Sequence, residues 1–309
     1  MITPECGRWV GVSGQSTTDD SMQPEYALHI ASVTKTFVAA LVLALSADGM
    51  LALDDPIDLW VGSVPNGANI SVRQLLNHTS GLFNYTYDEA WQAALIADPL
   101  RVWAPQELVD LAVAHPPNFP PGRGFSYSNT NFILAGMIVE AATGHGIAEE
   151  LRTRLLARAQ LGSTFFSGEE AIDAPMAHGY SGAFDLTGAI DPSAAWAAGA
   201  MVATAGDLAD WAAALYGGSI LDSESQRAMR QTVETGTRGL SYGLGMMDLG
   251  AEIVGTHAIG HFGGAFFGYR TNVLYLVDRQ SAVAVVTNDN NADPFDDITA
   301  TLIGVVLAR

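Results

Sequence analysis

The chain has 309 residues, 49% of them hydrophobic, enough to bury one large core or two closely packed ones. Its 33 acidic residues against 14 basic ones give a formal net charge of −19, which repels phosphate backbones and anionic lipid headgroups and argues against nucleic-acid or membrane-surface partners. Cys6 is the only cysteine, so an intrachain disulfide is excluded, and the longest apolar run, Phe37 to Leu45, is too short for membrane insertion.

In chain order, Arg8–Ser13 reads as a short strand followed by a polar turn over Gly14–Asp20. A helix is expected from about Val33 to Ala47, because Phe37, Val38, Leu41, Val42 and Leu45 recur at helical spacing and Asp48-Gly49 supplies a stop. From Asp54 to Ala195 the pattern is helix and loop: Val72–Asn77, Asp88–Ala97, Pro105–Ala114, Asn131–Ala142 and Gly146–Gln160. Pro116 to Gly122 is too proline-rich to be helical. A further helix, Gly206–Tyr216, leads to two β-branched runs, Arg270–Val277 and Ala282–Thr287, with Asp278–Ser281 as the intervening hairpin. A last helix is expected over Pro294–Leu307.

Strand first, helices in the middle, strands and a helix at the end is not the alternation of a doubly wound sheet. It predicts an α/β (α+β) fold: an antiparallel sheet flanked by helices, built from residues 1–53 plus 196–309, with a helical domain of residues 54–195 inserted. The cleft between the two parts is the expected site.

Three clusters carry chemistry. Ser32-Val33-Thr34-Lys35 places a hydroxyl and an amine three residues apart, on one face of a helix start. Of the 14 basic residues 13 are arginine, and Lys35 is the only lysine. An arginine stays protonated, whereas a desolvated lysine can serve as a base, so the retained lysine points to a position where arginine cannot substitute, the alternative being chance survival. Read alone, Ser32 fits an ordinary helix N-cap as well. Tyr127-Ser128-Asn129 precedes a helix; the phenol there could relay a proton and the amide could orient a substrate carbonyl. Gly260-His261-Phe262-Gly263-Gly264 would let a cleft-lining edge strand approach a ligand closely, with His261 bonding the substrate or the base. His257 and His261 are four apart, but without an intervening Glu they do not make a zinc motif, and no Gly-x-Ser-x-Gly elbow is present.

Taken in this order, Ser-x-x-Lys, Tyr-x-Asn and His-x-Gly resemble the motifs of the serine β-lactamase and penicillin-binding superfamily. The branch it most resembles holds class C β-lactamases, D-alanyl-D-alanine carboxypeptidases, D-aminopeptidases and related esterases. Leu75 to Leu82 (LLNHTSGL), Pro121 to Asn129 (PGRGFSYSN) and Ala198 to Leu208 extend the resemblance along most of the chain. It implies the β-lactamase/transpeptidase-like fold and an acyl-enzyme on Ser32, with Lys35 as general base or as the group that holds Tyr127 partly ionised. Tyr127 would pass the proton to the leaving group, Asn129 would hold the substrate amide, and the backbone N–H groups of Ser32 and Gly264 would form the oxyanion hole. No cofactor and no metal are implied; the expected partner is a small-molecule ester, amide, peptide or β-lactam.

Two departures bear on the substrate. The third motif begins with His261, where class C β-lactamases typically have lysine, and Phe262, Gly263 and Gly264 offer no side-chain donors where carboxypeptidases of this branch place threonines. The wall they form points to an uncharged ester or amide, with Arg270 expected to pair with a nearby carboxylate. A non-turning-over binding module and an acyltransferase are the alternatives. Ile2-Thr3-Pro4 resembles the tail of the branch's first strand, without the helix that normally precedes it, and no export signal is visible, which leaves a cytoplasmic or an exported location open.

Overall fold

The computed structural model describes residues 1–62, 64–264, 267–292 and 295–308. Thirteen strands are found among them: β1 (Ile2–Thr3), β2 (Gly7–Arg8), β3 (Leu28–His29), β4 (Thr164–Phe166), β5 (Tyr180–Ser181), β6 (Phe184–Asp185), β7 (Met201–Ala203), β8 (Val233–Glu234), β9 (Leu240–Tyr242), β10 (Met247–Leu249), β11 (Ala258–Gly263), β12 (Arg270–Leu276) and β13 (Ser281–Thr287). Eight of them make one antiparallel sheet in the order β2-β1-β13-β12-β11-β10-β9-β8, so the strands that open the chain lie beside those that close it. This is the antiparallel sheet expected from the sequence.

The two long strands are buried on both faces. Val273, Tyr275, Ala282 and Ala284 join the main core, while the alternating residues Leu274, Leu276, Val283 and Val285 join a second cluster with Phe295, Ile303 and Val306. That second cluster lies under the C-terminal helix Phe295–Leu307; the expected first residue of this helix, Pro294, lies outside the described residues. Period-two alternation between two apolar layers explains why Val273–Leu276 and Ala282–Val286 read as runs without polar interruption.

On the other face lies the helix Thr34–Ala47, here α1. Phe37, Val38, Leu41, Val42 and Leu45 are fully buried, so the helix is enclosed on all sides. Trp211, from the helix Ala205–Tyr216, stacks on Phe37 with ring centres 4.1 Å apart and donates from Nε1 to Thr36 Oγ1 at 2.9 Å. Residues 54–195 are mostly helix and loop, including helices Val72–Leu76, Glu89–Ala97, Pro105–Val113 and Asn129–Thr143 (α2 to α5). They also carry β4, which pairs with β7 next to β3 in a separate three-stranded sheet.

Arg8–Ser13 departs from expectation. Ladder pairing is confined to Gly7 and Arg8 of β2, with Trp9 adding only its reciprocal bonds to Met1 (3.0 and 2.9 Å), and β2 is the outermost strand of the sheet, with the short β1 as its one neighbour. The helix expected over Gly146–Gln160 is helical only to Leu151 and continues as a wider π-turn over Arg152–Leu156. No helix among the described residues is long and apolar enough to cross a membrane.

Candidate active site

Ser32 sits in a single 3-10 turn, Ala31–Val33, that runs directly into α1. It is not an N-cap: Val33 holds that position, and no side-chain capping bond is made there. Ala31 adopts φ +46, a strained value for a residue with a Cβ, which marks the turn as one held by its surroundings. The Ser32 hydroxyl faces two groups. Lys35 Nζ lies 3.0 Å from its Oγ, and the Tyr127 ring stands beside the pair, its centre 5.1 Å from Nζ.

Lys35 is completely buried. Its Nζ also donates to Asn129 Oδ1 at 2.8 Å and to the carbonyl of Ala198 at 2.6 Å. Burial holds the amine well below its ordinary pKa and drives the Tyr127 phenol the other way, above its own. Both shifts favour the neutral forms. A neutral lysine spends its two hydrogens on Asn129 and Ala198 and turns its lone pair toward the Ser32 hydroxyl. Such an amine can take the hydroxyl proton.

Asn129 opens α5 and is fixed at both ends of its polar edge: its Oδ1 accepts from Lys35, and its backbone N–H donates to Asn84 Oδ1 at 3.1 Å. Ser32, Asn129, Ala198, Gly264 and Phe267 line one cleft of about 230 Å³, together with Tyr85 and Thr86. None of its described lining residues is charged. A larger cavity of about 620 Å³, lined by Leu82, Phe83, His115 and Phe119, opens elsewhere and contains none of these residues.

The third motif is inside β11, which has partners on both sides. Pairing with β10 ends at Met247 and Gly260, so only the stretch after Gly260 is an edge. There Gly263 passes so close to the Ser32 turn that a Cβ on it would lie 2.4 Å from the carbonyl oxygen of Ile30. Alternation along the strand separates the motif's side chains. Phe262 packs with the cluster beneath the C-terminal helix and does not line the cleft, whereas Gly264 does.

His261 is fully buried. Its Nδ1 lies 2.7 Å from the carbonyl of Phe262, which can only accept, so Nδ1 carries the proton. Its Nε2 therefore accepts from the Tyr242 hydroxyl at 2.9 Å. Burial lowers its pKa to about 3. Both ring nitrogens are thus engaged by protein, and the hydrogen bond to substrate or base expected of His261 has no free nitrogen to make it. His257 turns to Asp248 at 3.0 Å, so the two histidines have separate partners. Arg270 pairs with Asp296 at 3.2 Å and lies over the Phe295 ring.

Two residues next to this site carried no assigned role in the sequence. Tyr242 lies in a glycine-rich stretch without periodic pattern, and nothing there signals it. His78 lies within the LLNHTSGL segment, and its ring centre is 4.3 Å from that of Tyr127.

Comparison with known proteins identifies the family and the fold. Residues 5–308 match the family described as Beta-lactamase. A D-aminopeptidase of Brucella anthropi is 28% identical over 306 residues, covering 94% of this chain and 55% of that protein. The esterase EstB of Burkholderia gladioli is 36% identical over 141 residues, 41% of this chain and 35% of its own length. The chain thus spans about half or less of the length of these curated relatives. Among solved structures, a D-stereospecific amidohydrolase from Streptomyces superposes with a TM-score of 0.81 at 34% identity, over 90% of this chain and 86% of that one.

Proposed function

The chain belongs to the Beta-lactamase family, and on that premise we propose that it is a serine hydrolase that acylates Ser32 with an uncharged ester or amide and releases the acid to water. One observation carries the reading: the only lysine in the chain is completely buried with its Nζ 3.0 Å from Ser32 Oγ. Lys35 takes the hydroxyl proton as Ser32 Oγ bonds to the substrate carbonyl carbon. The backbone N–H groups of Ser32 and Gly264, both lining the cleft, receive the developing oxyanion. Tyr127 donates its proton to the leaving group as that bond breaks, and takes back the proton that Lys35 holds. Water then enters in place of the leaving group and loses a proton to Lys35 as it adds to the acyl carbon; the acyl–Oγ bond breaks, Ser32 Oγ takes that proton back, and the acid is freed.

The upward shift of Tyr127 and the downward shift of Lys35 favour the lysine as base and the phenol as acid. The substrate class is supported by a cleft without charged described residues and by an Arg270 already paired with Asp296. The esterase relative fits the same class. We read the cleft as lying between an inserted unit of residues 54–195, which supplies Tyr85 and Asn129, and the remainder, which supplies Ser32 and Gly264.

The test is a rate panel of short-chain esters, D-amino-acid amides, D-alanyl-D-alanine peptides and a chromogenic cephalosporin. Turnover of the neutral ester or amide above the carboxylate-bearing substrates is expected. A stable adduct without turnover would instead identify a binding module, and acceptor-dependent product an acyltransferase.

A further inference from the structure

We propose that His78 is a positioning residue for Tyr127, held in one tautomer by a relay from Ser80 through Asn131. The inference rests on the reading of Tyr127 as proton donor to the leaving group.

Tyr127 is gripped on both sides by one residue. The N–H of Ser126 donates to the backbone carbonyl of His78 at 3.0 Å, and the N–H of Ser128 donates to His78 Nδ1 at 3.3 Å. Between these two bonds the His78 ring packs against the phenol ring itself. His78 makes these contacts from φ +59, a left-handed conformation that costs energy for a residue with a side chain.

The second bond requires Nδ1 to be an unprotonated acceptor, and the structure enforces that. The N–H of Leu82 donates to Ser80 Oγ at 3.1 Å, and the Ser80 hydroxyl donates to Asn131 Oδ1 at 2.6 Å. This orients the Asn131 amide so that its NH2 faces His78 Nδ1, at 3.0 Å. Two N–H donors therefore converge on Nδ1, and the ring's proton must sit on Nε2. Nε2 is buried without a hydrogen-bond partner, and the ring packs on Tyr242 with centres 4.7 Å apart. Burial holds the ring neutral, as an accepting Nδ1 demands. All members of the relay are buried, so water cannot replace a lost link.

Asn131→Asp tests this. The carboxylate keeps the acceptor for Ser80 but removes the donor facing Nδ1. His78 must then carry a proton on Nδ1 and can no longer accept from Ser128. Rates are compared for a nitrophenyl ester, whose leaving group departs without a proton, and for the ethyl ester of the same acid, which needs one. A misplaced proton donor should cost the ethyl ester on the order of 10²-fold in kcat/KM and the nitrophenyl ester less than about tenfold. A merely structural loss lowers the active fraction and hits both esters equally, and that result overturns the proposal. If Asn131→Asp does not fold, Ser80→Ala removes only the first link and should show the same leaving-group dependence at smaller size; equal losses there, or none, overturn it. A wild-type protein without ester turnover, or turnover that survives Ser32→Ala, would overturn the hydrolase reading and this inference with it.

Discussion

Replacing Lys35 by arginine keeps a positive charge at the site and removes the only lone pair that can receive the Ser32 proton. A guanidinium cannot be deprotonated in a protein, and burial, which lowers the lysine, does not bring it within reach. A positioned general base contributes about 10²–10⁴-fold, or about 3–5 kcal/mol at 1.36 kcal/mol per tenfold. The substitution also overfills a site where Nζ already has three partners within 3.0 Å, at a stability cost of about 1–3 kcal/mol. Lys35→Met is the companion, since it fits the space but leaves Asn129 Oδ1 and the Ala198 carbonyl without their donor. kcat/KM for a neutral ester is measured on each variant once thermal melting shows it folded. Both should lose at least 10²-fold. A folded Lys35→Arg within tenfold of wild type would mean that Lys35 is not the base, and the proposed mechanism would fail with it. The wild-type pH profile supplies the matching sign: activity should rise as Lys35 loses its proton, on a limb lying well below the ordinary lysine value of 10.5.

Gly263→Ala should lower both activity and stability, because its Cβ would meet the Ile30 carbonyl two residues before Ser32; a loss of at least tenfold in kcat/KM is expected, and unchanged kinetics would mean the strand is free to shift. His29, stacked on Phe267 at 4.4 Å, has its pKa lowered by burial from 6.5 to about 4. The unfolded chain therefore takes up a proton below pH 6.5 that the folded protein refuses until about 4, so stability falls as pH drops through this window. The span of 6.5 − 4 at 1.36 kcal/mol per unit is roughly 3 kcal/mol. Urea midpoints at pH 7 and 4.5 should show His29→Phe losing less stability on acidification than wild type, and parallel losses would contradict the assignment.

Much of the site was legible because its spacing is short. Ser32 and Lys35 are joined by one helical turn, and Tyr127 and Asn129 by two peptide units, so local geometry brings the members of each pair together. The paired strands Arg270–Leu276 and Ser281–Thr287 were legible for a similar reason: their burial on both faces leaves a continuous apolar signature. What the residues concealed depends on contacts remote in sequence. How far Arg8 to Ser13 pairs depends on β1, its one neighbour at the sheet edge, which it follows only as far as Trp9. Tyr242 matters because β9 sits two strands from β11 and its hydroxyl reaches His261. The direction of Phe262 follows from the register of β11, which glycine-rich sequence leaves unmarked. His78 gains its place from Ser128 and Asn131, some fifty residues downstream.

The central claim is that Ser32 becomes covalently acylated and that catalysis passes through it. Intact-mass measurement after treatment with a fluorophosphonate, followed by peptide mapping, tests this directly, with Ser32→Ala as the control. The account predicts a single adduct on the peptide containing Ser32, loss of ester turnover in proportion to labelling, and neither label nor turnover in the variant. A label on another residue, or ester turnover that persists in Ser32→Ala, would contradict it.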